Sequence, residues 1–151
     1  MGRSAAREEA VKFIYQCDMR SAEPVQVVEN YYSSLEKEDE SGEYVVLNGK
    51  DKQFMLMLLC GAWEKRADID ASIKKNTKDW EVTRLSRVLL GIIRIAVYEM
   101  LYCDDIPVSV SINEAVELAK KYENEDKSSV FLNGILSGVA KDSGQLSVSD
   151  H

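Results

Sequence analysis

The chain of 151 residues (17.0 kDa) carries 19 Lys+Arg against 26 Asp+Glu, a net charge of -7 and a pI near 4.8. That balance excludes a protein that coats nucleic acid by bulk charge, so any nucleic-acid contact must be local. With 45% hydrophobic residues, the chain can bury one domain or two small lobes sharing a core. Cys17, Cys60 and Cys103 lie far apart with no CxxC spacing, the pattern of buried free thiols in a reducing compartment rather than of a disulfide or zinc framework. No apolar segment precedes a cleavage-like site, and the longest apolar run, Phe54–Trp63, is too short to span a bilayer. The expectation is a cytoplasmic protein with no membrane contact.

Only Pro24 and Pro107 interrupt the chain, and the stretches between them carry helical periodicity, so the predicted class is all-α. Ser4 is placed to cap a helix running to about Asp18, with Ala10, Phe13, Ile14 and Cys17 on one face. Pro24 suits a first helical turn, and Val25, Val28, Tyr31, Tyr32 and Leu35 form the next stripe. The acidic run Glu36–Glu43 reads as a solvated loop; its carboxylates lack the alternate spacing around a turn glycine that a calcium loop requires. After Asn48 and Gly49, Phe54–Trp63 is apolar on nearly every side and belongs in the middle of a bundle. The pattern continues through Ile69 and Ile73 and breaks at Asn76–Trp80, where Trp80 is expected to cover the core.

A second central helix is predicted from about Val82 to Tyr102, with Leu85, Val88, Leu89, Ile92, Ile93, Ala96, Met100 and Leu101 as its core set. The segment Ile106–Ile112 alternates like a strand but has no partner strand, and reads as an extended connector. Ser111-Ile-Asn-Glu114 then has the S-x-x-E form of a capping box opening a helix to about Tyr122. A polar loop from Glu123 to Ser129 leads to a last helix through Phe131, Ile135, Leu136 and Val139. The tail from Asp142 to His151 is too polar to fold. The count is about six or seven helices around the two central ones.

Catalytic constellations are missing. The single histidine is His151, in the tail, and no phosphate-cradling glycine loop or nucleophile elbow occurs. Asp68/Asp70 and Asp104/Asp105 diverge on a helix, and Glu114 of the Glu114/Glu117 pair has the capping task. No enzyme activity, cofactor or metal is implied. Arg84, Arg87, Gly91, Arg94 and Tyr98 share one stripe of the second central helix, either a binding ridge for phosphate or an acidic partner, or the one solvated or inter-lobe face of that helix. At the chain start, Arg3 and Arg7 stand four apart and can project from one side of a helix onto adjacent phosphates, or belong to a solvated terminus balanced by Glu8 and Glu9.

Several segments together resemble the NusB family of bacterial transcription antitermination factors. They are Arg3–Tyr15, Ile69-Asp70 with Ile73, Trp80, Ile93–Glu99, Asp105–Val108, Ile112–Lys120 and Phe131–Leu136, in the family's order from residue 3 to about 140. The resemblance implies an all-helical fold of two three-helix-bundle-like lobes, here about residues 1–79 and 80–141, followed by a disordered tail at 142–151. It implies binding of the boxA element of nascent RNA as a heterodimer with NusE, a ribosomal protein of the small subunit. That heterodimer acts within the RNA polymerase antitermination complex, notably on ribosomal RNA operons. Some members of the family form homodimers that cover the RNA surface, so a homodimer stands beside a monomer as an expectation.

The family's arginine-rich start is matched at Arg3 and Arg7, with Ser4 and Ala5 where many relatives carry further basic residues. Lys127–Gly134 resembles a K-S-x-K-F-[VI]-N-G segment near the family's RNA surface, which adds Lys127, Phe131 and Asn133 as RNA-binding candidates; Val130 takes the usual basic place, and Phe131, four before Ile135, reads equally as core. Two phosphates held by Arg3 and Arg7 give a log–log salt slope of about -1.4 for single-stranded RNA, too shallow for a tight binder alone. Removing both arginines is expected to weaken RNA binding without changing the helical melt. The alternatives are a helical protein–protein adaptor that does not touch RNA, and the similar RNA-binding domain of ribosomal RNA cytosine methyltransferases, which is followed by a cofactor-binding domain.

Overall fold

The computed structural model describes residues 2–37, 47–77, 85–123 and 126–144. Among the described residues there are seven helices and no strand: α1 (Gly2–Arg20), α2 (Pro24–Lys37), α3 (Gly49–Glu64), α4 (Arg66–Lys75), α5 (Arg87–Tyr102), α6 (Val108–Glu123) and α7 (Asp126–Asp142). Trp80, Arg84, most of the acidic run, the expected lobe boundary at 79/80 and the end of the tail lie outside the described residues.

Two helices organise the rest. The outward positions of α3 are few, and it packs against α1, α2, α4 and α5; α5 packs against α1, α3, α4, α6 and α7. Helix α5 buries Leu89, Ile92, Ile93, Ile95, Ala96, Val97 and Met100, more of its circumference than a single stripe, as a helix with neighbours on most sides must. One cluster of buried side chains extends from Ala6 on α1 to Ala140 on α7. The α1 face drawn from periodicity, Ala10, Phe13, Ile14 and Cys17, is buried throughout, as are Ile69 and Ile73 on α4. All three cysteines are free, and burial pushes the Cys17 and Cys103 thiols up to about 11, which keeps them protonated.

The helix starts are where local signals and packing part company. Ser4 lies inside α1 and caps nothing: its Oγ donates to Glu114 Oε1 at 2.6 Å. On α2 the buried valines are Val27 and Val28, while Val25 is 59% exposed; Tyr31 meets Phe13 edge to face at 5.1 Å. Asn48 caps α3 by accepting from the Asp51 amide at 2.8 Å. Helix α5 begins at Arg87, where the extended Ser86 caps it by accepting from the Leu89 amide at 3.0 Å; Val82 to Arg84, where the periodicity starts, lie outside the described residues.

The extended connector and the capping box are both corrected. Helix α6 begins at Val108, directly after Pro107, whose carbonyl accepts from the amides of Val110 and Ser111. Proline's preset φ and missing donor suit that place. Ser111 and Glu114 are therefore interior residues of α6, and their side chains serve inter-helix contacts. Helix α7 likewise begins at Asp126, ahead of the expected start, with Ser129 Oγ donating to the Asp126 carbonyl.

The polar stripe of α5 faces its neighbours. Arg94 forks onto Asp70 of α4 through two 2.9 Å bonds, and Arg87 donates to Asp18 of α1 at 2.7 Å. Gly91 gives α1 room beside Ile14, and the Tyr98 ring occupies the space where residue 61 would carry a Cβ. Of the two readings of this stripe, the described residues take the inter-helix one. Gly61→Ala is expected to displace Tyr98 from α3 and to cost about 1–3 kcal/mol, in the range of overpacked interfaces; a thermal melt unchanged from that of the parent chain would refute the close packing of α3 on α5.

Candidate nucleic-acid interface

The two arginines at the start of α1 have different fates. Arg3 is exposed, and its guanidinium lies 4.4 Å from the centre of the Phe54 ring on α3. It has no carboxylate partner among the described residues. Arg7 turns inward and is 6% exposed. Its Nε donates to both Glu99 oxygens, at 3.1 and 2.9 Å, and its Nη2 donates to Glu99 Oε1 at 2.6 Å. Nη1 reaches Glu114 Oε1 at 3.4 Å.

Glu99 is 1% exposed and accepts a further bond from Ser111 Oγ at 2.9 Å. A buried charge is tolerated only when paired and hydrogen-bonded, and this one is: no buried side-chain N or O among the described residues lacks a partner. Burial alone would lower the Arg7 pKa, but the bonds and charges of Glu99 and Glu114 outweigh it and raise the value further. Arg7, Ser4, Glu99, Ser111 and Glu114 thus form one network joining α1, α5 and α6. The guanidinium of Arg7 is consumed by it, so only Arg3 of the pair is presented to solvent. Removing Arg7 must therefore disturb the fold, in contrast to the expectation that both arginines could be deleted without cost.

One turn along α1, burial opposes but does not prevent a second link to α6: bonds from Lys121 Nζ at 2.7 Å and from the Tyr122 hydroxyl hold the Glu8 carboxyl below its ordinary range. Glu114 thus meets α1 at Ser4 and Arg7, and Lys121 and Tyr122 meet it at Glu8. The end of α6 then leads into α7 after about 12 Å of helix from Glu114 to Tyr122.

On α7, Lys127, Val130, Asn133 and Gly134 point outward, Val130 being 70% exposed. Lys127 has no carboxylate partner among the described residues. Phe131 is half-buried and packs against the core cluster. The residue that sequence reasoning passed over is Glu99. Its signal was a lone carboxylate within the apolar run Ile92–Leu101, where an uncompensated charge requires an opposite partner from another element.

The NusB family model matches residues 4–141. The chain belongs to the NusB family. It is 42% identical over 141 residues to the transcription antitermination protein NusB of Ruminiclostridium cellulolyticum, covering 93% of this chain and 90% of that protein. It is 43% identical over 141 residues to the protein of the same name from Acetivibrio thermocellus, with the same coverage. Among solved structures, T. maritima NusB superposes with a TM-score of 0.75 at 31% identity, over 94% of this chain and 92% of that one. A chain from a complex of antitermination factors NusB and NusE with dsRNA also superposes with a TM-score of 0.75, at 24% identity over 93% and 96%, and shares the fold. NusB-family membership accounts for the all-α architecture and for the order of the matched segments.

Two outcomes follow for the network. Glu99→Ala leaves the buried Arg7 charge with only the distant Glu114 oxygen, and is expected to cost about 3–5 kcal/mol, whereas Arg7→Met combined with Glu99→Leu should cost far less than the two single changes summed. Denaturant titrations of the three variants test this, and additive losses would show that the pair is not coupled. For Glu8, the folded pKa lies below the unfolded one, so its contribution is present above the ordinary glutamate range and disappears as pH falls through the depressed value. The stability gap between the parent chain and Glu8→Gln should then be widest near neutrality and close below about pH 4.5; a gap that grows on acidification would contradict the assignment.

Proposed function

We propose that this NusB-family chain is a non-enzymatic transcription antitermination factor. It binds boxA-type RNA together with NusE in the cytoplasm and delivers the pair to the RNA polymerase antitermination complex. The observation that carries the reading is Arg3: an exposed guanidinium without a carboxylate partner, held at a fixed place by the Arg7–Glu99 clamp one turn below it. Arg3 on α1 and Lys127 and Asn133 on α7 make direct RNA contacts, the half-buried Phe131 lies on the same helix as the last two, and Arg7 is a positioning residue. The carboxylates nearest the arginines are occupied as ion-pair acceptors, which supports a binding role over acid–base chemistry.

Magnitudes support the need for a partner. With Arg7 withdrawn, Arg3 and Lys127 neutralise about two phosphates, for a salt slope of about -1.4 on single-stranded RNA. NusE would complete the surface; a NusB that shares this fold has been solved in complex with NusE and dsRNA. The net charge of -7 favours the adaptor reading, in which the chain binds protein alone.

Titrating a boxA RNA and a scrambled RNA of equal length, with and without NusE, separates the two readings. Arg3→Ala should weaken boxA binding by the NusE complex about tenfold, the loss typical of one charge-assisted contact, and reduce the salt slope by about 0.7, with an unchanged melt because the side chain is exposed. Equal affinity for boxA and scrambled RNA, in the presence of normal NusE binding, would leave the adaptor.

A further inference from the structure

A strip of apolar and aromatic side chains extends away from Arg3 along the seam between α3 and α5, with Phe54 buried beneath Arg3, Tyr98 half-buried, and Met57 and Tyr102 exposed. Lys50, Phe54, Met57, Gly61 and Lys65 recur at intervals of three and four and so share one face of α3 and its junction with α4. Arg3 covers Phe54 at 4.4 Å. Beyond it, Met57 Sδ is 3.9 Å from Cys103 Sγ. Tyr98 lies on Gly61 and stacks with Tyr102 at 5.1 Å and 28°, and the Lys65 ammonium is 5.8 Å from the Tyr102 ring. Met57 is 39% and Tyr102 40% exposed, two of the six large apolar side chains left in solvent among the described residues.

The charge at the ends of this strip indicates its occupant. Elsewhere several exposed cations of α1, α5 and α6 are matched by carboxylates, Lys12 by Glu9, Arg87 by Asp18, Lys120 by Glu117 and Lys121 by Glu8, while Arg20 at the far end of α1 has no carboxylate partner among the described residues. Arg3 and Lys50 at one end, and Lys65 at the other, have no such partner among the described residues. Glu64 and Asp105 sit at the edges of the strip, close enough to act on Tyr98 and Cys103, so attraction comes from the two ends and not from a broad positive field. Aromatic faces between cations are the elements of a single-stranded nucleic-acid platform, where bases stack and lysines or arginines track the backbone.

We propose that the α3–α5 seam is a second RNA-binding surface continuous with Arg3, on which Tyr102 stacks a base and Lys65 holds a phosphate of the RNA segment flanking the one gripped at α1. It rests on the RNA-binding reading above and adds a direction to it: the strand leaves Arg3 along α3. From Lys50 to Lys65 is about 22 Å of helix, room for no more than about six nucleotides at the roughly 3.4 Å spacing of a stacked strand.

The test uses the full chain with NusE, a boxA-containing RNA with single-stranded flanks, and two versions of that RNA lacking one flank each. Tyr102→Ala should weaken the full RNA about tenfold, within the range for one stacked base, while Tyr102→Phe retains affinity. Lys65→Ala should lower the salt slope by about 0.7. Both effects should vanish on the RNA lacking the flank that occupies the seam, and both variants should melt like the parent chain. If Arg3→Ala weakens binding but Tyr102→Ala and Lys65→Ala do not, the seam proposal fails and the RNA-binding reading stands. If the parent complex does not discriminate boxA at all, both fail. If the seam variants lose NusE and keep RNA affinity, the strip is a protein interface and the proposal is overturned.

Discussion

The bidentate pair of Arg7 and Glu99 is the constraint on which the placement of the start of α1 against α5 and α6 depends. Moving these two charges out of water costs several kcal/mol per ion, and a buried pair offsets this only with good geometry and full hydrogen bonding. Here the guanidinium is met by two carboxylates, Glu99 is met in addition by Ser111, and Ser4 engages the second carboxylate. The bonds of Ser4 and Arg7 reach from α1 to α5 and α6, more than 90 positions away, and are lost together if α1 slides by one residue against α5. The pair therefore sets the register of the chain start, a segment that would otherwise fray as a helix terminus.

That rigid start changes what a single exposed arginine can do. A guanidinium on a frayed end loses rotamer and backbone freedom when it binds, whereas Arg3 projects from a helix already fixed from below and rests on the Phe54 ring. Pre-ordering of this kind reduces the entropy lost on association. It also bears on how an acidic chain can serve RNA: some of its exposed cations are tied to neighbouring carboxylates, which removes them from competition, while Arg3 at the start of α1 is left without such a partner among the described residues. Local placement substitutes for bulk charge, and the shallow salt slope leaves a clear task for a partner protein.

Much of the fold was legible because burial imposes periodicity. The α1 face, the central positions of α3 and α5, and the short α4 with Ile69 and Ile73 follow from the three- and four-residue spacing of apolar side chains. What misled were short polar signals whose outcome is decided by other elements. Ser111 and Glu114 have the form of a capping box, but Pro107 starts the helix a turn earlier and Glu99 claims the serine. Arg7 stands four from Arg3, as two cooperating ligands should, yet its partner is 92 positions away, and no local pattern encodes a contact of that span. Exposure was misread for the same reason: Val25 and Val27 are equally apolar, and only the packing of α2 on α1 and α3 decides which is inside.

Helix α5 shows why core and surface cannot be treated separately in this molecule. Arg94 faces α4, Glu99 faces α1 and α6, and Tyr98 with Tyr102 faces α3, so residues within little more than two turns address nearly every neighbour. A rotation of α5 that relaxed the Glu99 network would carry Tyr98 off Gly61 and shift Tyr102 along the seam. Loss of RNA affinity in a variant is consequently not proof of contact. The informative side chains are those whose removal leaves α5 where it is: Arg3, Lys65 and Tyr102 meet that condition by exposure, and Arg7, Glu99 and Tyr98 do not.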